Sequence, residues 1–72
     1  MTKASLIAQI PAERFRSYDG SVPKIGDVVI LDQGFTFPDE QPGCIVYCDD
    51  QSGKLKWEAE VYESEIGDDI PT

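Results

Sequence analysis

Seventy-two residues carrying a net charge of −8 allow one small acidic domain and no more. A chain of this length buries only about 60% of its unfolded surface, so its core is small and its stability modest. Histidine is absent, which excludes Ser–His and Cys–His catalytic pairs and the common zinc sites.

The first segment, Ser5-Leu6-Ile7-Ala8-Gln9-Ile10, fits two periods. Leu6, Ile7 and Ile10 would share a helix face, and Leu6, Ala8 and Ile10 a strand face. A strand closed by Pro11 and followed by a single turn over Ala12-Glu13-Arg14-Phe15 is the favoured reading. Residues 16–26 are punctuation: Tyr18-Asp19-Gly20-Ser21 signals a turn and Val22-Pro23-Lys24 is extended. Val28-Val29-Ile30-Leu31 is a short strand, apolar on both faces, as in a small sheet curled onto itself. Asp32 to Gly43, with Gly34, Pro38, Pro42 and Gly43, is expected to be a long connection.

Cys44 to Cys48 is the next strand, β-branched and aromatic between its thiols. Positions four apart on a strand lie about 13 Å apart, and a disulfide needs Cα atoms within about 7 Å, so these two cysteines do not bridge each other. Asp49-Asp50-Gln51-Ser52-Gly53 is a hairpin turn with Gly53 supplying a positive φ. Leu55, Trp57, Ala59 and Val61 alternate with Lys56, Glu58, Glu60 and Tyr62, the clearest period of two in the chain. One face packs a core around Trp57 and the other meets water. Glu63 to Ile66 forms a final turn. Residues 1–66 make up the single β domain, and 67–72 are an acidic tail expected to fray. The fold class is thus mainly β: a small, strongly bent antiparallel sheet, barrel or roll, with at most one short helical turn.

Two stretches carry a resemblance. Lys24-Ile25-Gly26-Asp27-Val28-Val29-Ile30-Leu31 resembles the Gly-Asp opening of a strand common in SH3-like barrels, and Trp57-Glu58-Ala59-Glu60 resembles their mid-barrel tryptophan strand. The order of these pieces, with Pro42-Gly43-Cys44-Ile45-Val46 between them, is also similar to small uncharacterised bacterial barrel proteins. The likeness spans residues 24–66 and implies an SH3-like topology. The Ala-Leu-Tyr-Asp-Tyr opening and the Ser-Asn-Tyr of the signalling SH3 family are missing, so it does not extend to polyproline binding.

Functional expectations follow from charge and from one loop. Residues 1–26 carry four cations and two carboxylates, whereas residues 27–72 carry two lysines and twelve carboxylates. Such a surface repels phosphate backbones and favours a basic partner, so direct nucleic-acid binding is not expected. The 49–53 turn lacks the glycine that a calcium loop needs at its sixth position, which is Lys54. No phosphate loop occurs, and neither metal nor cofactor is expected. Glu58 and Glu60 lie about 6.6 Å apart through strand geometry alone, without a desolvating pocket to make them catalytic, so the chain is read as a non-enzyme.

The loop Gly34-Phe35-Thr36-Phe37-Pro38-Asp39-Glu40 sets two aromatic rings beside two acids. Either the rings close the open end of the barrel, or one faces out as part of a contact surface. The candidate partner surface is Phe35, Phe37, Asp39, Glu40, Glu58, Glu60 and Tyr62. The leading expectation is a protein-interaction or accessory module with a protein partner, basic by charge complementarity. An acidic inhibitor imitating nucleic acid, interrupted by Lys54 and Lys56, ranks second, and a small ligand-binding protein or enzyme third. An N-terminal strand at a sheet edge would also offer pairing to a second copy, opposed by the repulsion of two such chains. No run approaches the roughly 20 apolar residues of a membrane span, and Ala4 to Ile10 is too short for a secretory signal. The expected setting is cytoplasmic.

Overall fold

Alternation in Leu55–Tyr62 produces the strand that organises the molecule. In the computed structural model, which describes residues 3–50 and 52–70 and the side chains of these up to Gly67, six strands form one antiparallel sheet. They are β1 (Lys3–Leu6), β2 (Phe15–Ser17), β3 (Val28–Thr36), β4 (Pro42–Asp49), β5 (Leu55–Tyr62) and β6 (Ile66–Ile70), in the spatial order β2-β5-β4-β3-β1-β6. Two short 3-10 turns, at Ala12–Arg14 and Glu63–Glu65, are the helical elements among the described residues, one more than expected because the turn after β5 is also helical. No helix of these residues is long and apolar enough to cross a membrane.

The mainly β reading holds, and β5 has the bounds its alternation implied. Trp57, Ala59 and Val61 face inward, joined by Val46 and the two cysteines of β4, by Val29, and by Ala4 and Leu6 of β1. Cross-strand partners share a face, and the register sets Cys48 opposite Trp57, Val46 opposite Ala59 and Ala4 opposite Val29. One sheet buries a face this completely only by curling round it. The edges β2 and β6 do not pair with each other, so the sheet is an open roll and does not close into a barrel.

Four expectations are corrected. The connection drawn over Asp32–Gly43 is mostly strand: β3 runs on to Thr36, β4 begins at Pro42, and only 37–41 loops. The glycines and prolines there suggested a break, but Pro42 is the first residue of its strand, a position where a missing donor is tolerated. The ladder also shifts register between Leu31 and Gln33, which bends β3 without ending it. Residues 67–70 do not fray; they belong to β6, which pairs with β1 from Leu6↔Ile66 to Lys3↔Ile70, while Pro71 and Thr72 lie outside the described residues. β1 is not an edge, being held between β3 and β6, so it has no free side to offer a second copy. Finally, Phe15–Ser17 within the supposed punctuation is a short strand on β5.

The first segment resolves as β1 to Leu6, an irregular stretch, and the turn at Ala12–Arg14, with Ile10 buried in the core. The 49–55 connection is a hairpin in which Gly53 takes φ 85°, a conformation open to glycine at little cost. Asp50 organises it by accepting from the N–H of Ser52 and of Lys54.

Cys44 and Cys48 are free and buried, and burial pushes both thiols above their usual range. A thiol reagent such as Ellman's should therefore label the native chain slowly and both thiols at once in denaturant. Immediate labelling of two thiols under native conditions would contradict this packing.

Candidate functional site

The loop between β3 and β4 is built by its own sequence. Phe37 C=O accepts from the Glu40 N–H at 2.8 Å and Gln41 C=O from the Phe37 N–H at 2.9 Å. Pro38 presets the turn, and the Asp39 carboxylate accepts the N–H of Gln41 at 3.1 Å. Glu40 closes the loop with φ 67°, the left-handed position that glycine usually occupies in a hairpin loop of this kind.

This loop lays Phe37 against Tyr62 of β5, beside Phe35 of β3. Phe35 lies opposite Gly43 and Gly43 opposite Tyr62, so all three share the outer face of the sheet. Phe37 stacks on Tyr62 with centroids 4.0 Å apart at 19°, and tilts against Phe35 at 4.7 Å and 51°. The two rings are thus not split between core and solvent. They form a satellite cluster in which Phe37 is 8% exposed and Phe35 and Tyr62 are half-buried. Gly43 makes the seat: a Cβ there would lie 2.6 Å from Phe37 Cδ2, closer still to Cε2, and 2.9 Å from the Val61 carbonyl oxygen.

Charged groups fix the cluster from above. The Arg14 guanidinium lies 5.1 Å from the Tyr62 centroid and 6.0 Å from that of Phe37, within cation–π range. It donates a bidentate pair to Glu65, Nη1 to Oε1 at 2.6 Å and Nη2 to Oε2 at 2.8 Å. Glu65 also accepts the Tyr62 N–H at 2.8 Å. The Tyr62 hydroxyl donates to Asp39 at 2.9 Å, which raises the phenol above its ordinary range.

The hydrogen bonds from Arg14 hold Glu65 below the usual carboxylate range. A lowered folded-state value means the contribution to stability is complete above the unfolded glutamate pKa, near 4.3, and is lost as pH falls through the folded value. With side chains only 20% and 14% exposed, the pair is screened less than a surface bridge. Arg14→Gln should lower stability by about 1–2 kcal/mol at neutral pH. It should also flatten the acid limb of the stability curve, measured by urea unfolding between about pH 6 and 2. An unchanged acid limb would remove the pair from that role.

Of the residues expected in the partner surface, Phe35, Phe37, Asp39 and Tyr62 come together, with Glu40 exposed at the loop tip. Glu60 is exposed on the same face, opposite Ile45. Glu58 stands apart. It accepts from the Tyr18 hydroxyl at 2.6 Å and lies opposite Arg16, whose guanidinium covers the Tyr18 ring at 5.2 Å. Arg14 and Gly43 belong to the site and were not anticipated. A glycine inside an apolar strand is a signal of close approach that would have found Gly43. Arg14 had no such signal, since its partner is 51 residues away.

A shallow cleft of about 350 Å³ adjoins the cluster, lined by Glu13, Arg14, Arg16, Ile45 and both Glu58 and Glu60. A larger open one of about 740 Å³ lies between β3 and the Glu63–Gly67 stretch, lined by Leu31, Cys44 and Ile66, and contains none of the expected residues. Compared with protein-family models, curated proteins and solved structures, the chain finds no match.

Proposed function

We propose that this chain is a non-catalytic interaction module that holds a protein partner bearing basic groups against Phe35, Tyr62, Asp39 and Glu40. The observation that carries the reading is Glu40. It holds a left-handed backbone, unfavourable by roughly 1–2 kcal/mol for a residue with a Cβ, and it is exposed at the tip of a loop already closed by its own hydrogen bonds. Glycine would serve the turn better; a carboxylate there serves something outside it. Beside it stand two half-buried rings, Tyr62 stacked on Phe37 under Arg14 and Phe35 tilted against Phe37, the kind of pre-organised aromatic surface on which partners bind.

The SH3-like resemblance is part of the same proposal. Its support is the order of elements: β1, a long excursion, the β3-β4-β5 meander, a 3-10 turn, and β6 returning to β1. Two unpaired buried thiols accord with a reducing, cytoplasmic setting. A carboxylate row imitating nucleic acid has weaker support, because Glu58 is engaged by Tyr18 and Glu65 by Arg14.

The test is capture from native cell extract on immobilised chain at low and high salt, with Phe35→Ser and Glu40→Gly beside the wild type. Capture should weaken with salt and be lost in Phe35→Ser. Glu40→Gly should bind less while gaining about 1 kcal/mol of stability. Capture by both variants at the wild-type level, or by none of the chains at either salt, would count against the module.

A further inference from the structure

We infer that the free edge of β6 is a second docking site, which takes an extended lysine- or arginine-bearing segment as an added strand. Because the roll is open, β6 pairs with β1 on one side only, and alternate residues of Ile66–Ile70 present N–H and C=O groups outward. The other edge, β2, has three residues, too few for a comparable ladder.

Charge selects the occupant. Sheet edges are guarded by charged side chains, lysine above all, or by proline; the charges on β6 are the two acids of Ile66-Gly67-Asp68-Asp69-Ile70. A second copy approaching edge to edge would set this pair of acids against its equivalent, and like charges directly opposed destabilise a ladder. Two chains at −8 add to that repulsion. A strand with cationic residues meets the opposite balance, so the same carboxylates that keep copies apart favour it.

The neighbouring surface supplies apolar contact. Ile7 is 53% exposed, and its N–H donates to the Glu65 C=O at 2.9 Å, just before β6. A Cβ on Gly67 would stand 3.1 Å from Ser5 Oγ and 3.2 Å from Ile7 Cγ2. Glycine at 67 therefore leaves room for Ile7 against β6. An incoming segment that alternates cations with branched apolar residues satisfies both the acids and Ile7.

The experiment uses the isotope-labelled chain and three short synthetic peptides followed by amide-resolved NMR. One alternates lysine and valine, one is the same with alternate backbone nitrogens methylated, and one alternates glutamate and valine. The Lys-Val peptide should shift and protect amides of residues 66–70. The methylated and the Glu-Val peptides should bind at least about tenfold more weakly, as should the Lys-Val peptide to an Asp68→Lys, Asp69→Lys chain whose circular dichroism is unchanged. Equal binding of the methylated peptide would reduce the effect to charge alone and overturn strand addition. So would shifts confined to Asp39, Glu40 and Tyr62, which would credit the aromatic surface instead. A wild-type dimer protecting 66–70 without peptide would assign the edge to a second copy.

Discussion

Trp57→Ala is expected to lose roughly 3–5 kcal/mol of stability at 25 °C, whereas Trp57→Phe loses far less. The indole is completely buried and is the largest of the fully buried side chains. It lies opposite Cys48 on β4 and Ser17 on β2, so it joins three strands. Truncation of a buried tryptophan to alanine costs roughly 3–5 kcal/mol. At 0.05–0.15 kcal/mol per residue, a chain of 72 residues has roughly 4–11 kcal/mol in total. The loss thus takes most or all of the stability at the lower end of that range. Phenylalanine behaves differently because the indole N–H finds no acceptor among the described residues. A buried unpaired donor costs about 1–3 kcal/mol, and phenylalanine removes that donor along with part of the ring. The two effects oppose each other, so Trp57→Phe should stay within about 1.5 kcal/mol of wild type. Urea unfolding followed by circular dichroism measures both variants. A Trp57→Phe loss as large as that of Trp57→Ala would show that the indole N–H is satisfied and that shape alone matters.

What could be read in advance divides along the range of the forces involved. β5 was legible because its alternation is local and strong. The 49–53 hairpin was legible because Asp50 and Gly53 carry their turn chemistry within a few residues. β6 was not, because Gly-Asp-Asp disfavours a strand and its pairing with β1 is supplied from the other end of the chain. The same holds in the site. Phe35, Phe37, Asp39 and Tyr62 announced themselves as aromatic and acidic residues near a loop. The Arg14–Glu65 fork that fixes them joins two 3-10 turns with no sequence signal in common. The misreading of Asp32–Gly43 had a different origin. Glycine and proline ordinarily break a strand, whereas Gly43 is required inside one to make room for a ring.

That requirement makes Gly43→Ala the sharpest probe of the aromatic cluster. Alanine normally stabilises an extended position relative to glycine, by about 0.4–1 kcal/mol, through the unfolded chain. At Gly43 the sign should reverse. The added methyl would overlap the Phe37 ring and press on the Val61 carbonyl oxygen at 2.9 Å, and the second obstacle is backbone that cannot move without disturbing the β4–β5 ladder. Overpacking of this kind costs about 1–3 kcal/mol, and part of the relief comes from Phe37 leaving its place on Tyr62. Loss of the stack should free Tyr62 from its fixed position and weaken its hydrogen bond to Asp39. The phenol should then titrate closer to its ordinary value, a change visible by ultraviolet absorbance at alkaline pH. Gly34→Ala is the matched control: it lies opposite Cys44 in the same ladder, and its Cβ would meet nothing nearer than the Gly43 carbonyl oxygen at 3.9 Å. It should be neutral or slightly stabilising and leave the Tyr62 titration unchanged. If Gly43→Ala proved as benign as Gly34→Ala, the ring would not be seated on that glycine, and the rigid aromatic surface proposed for the partner would lose its foundation.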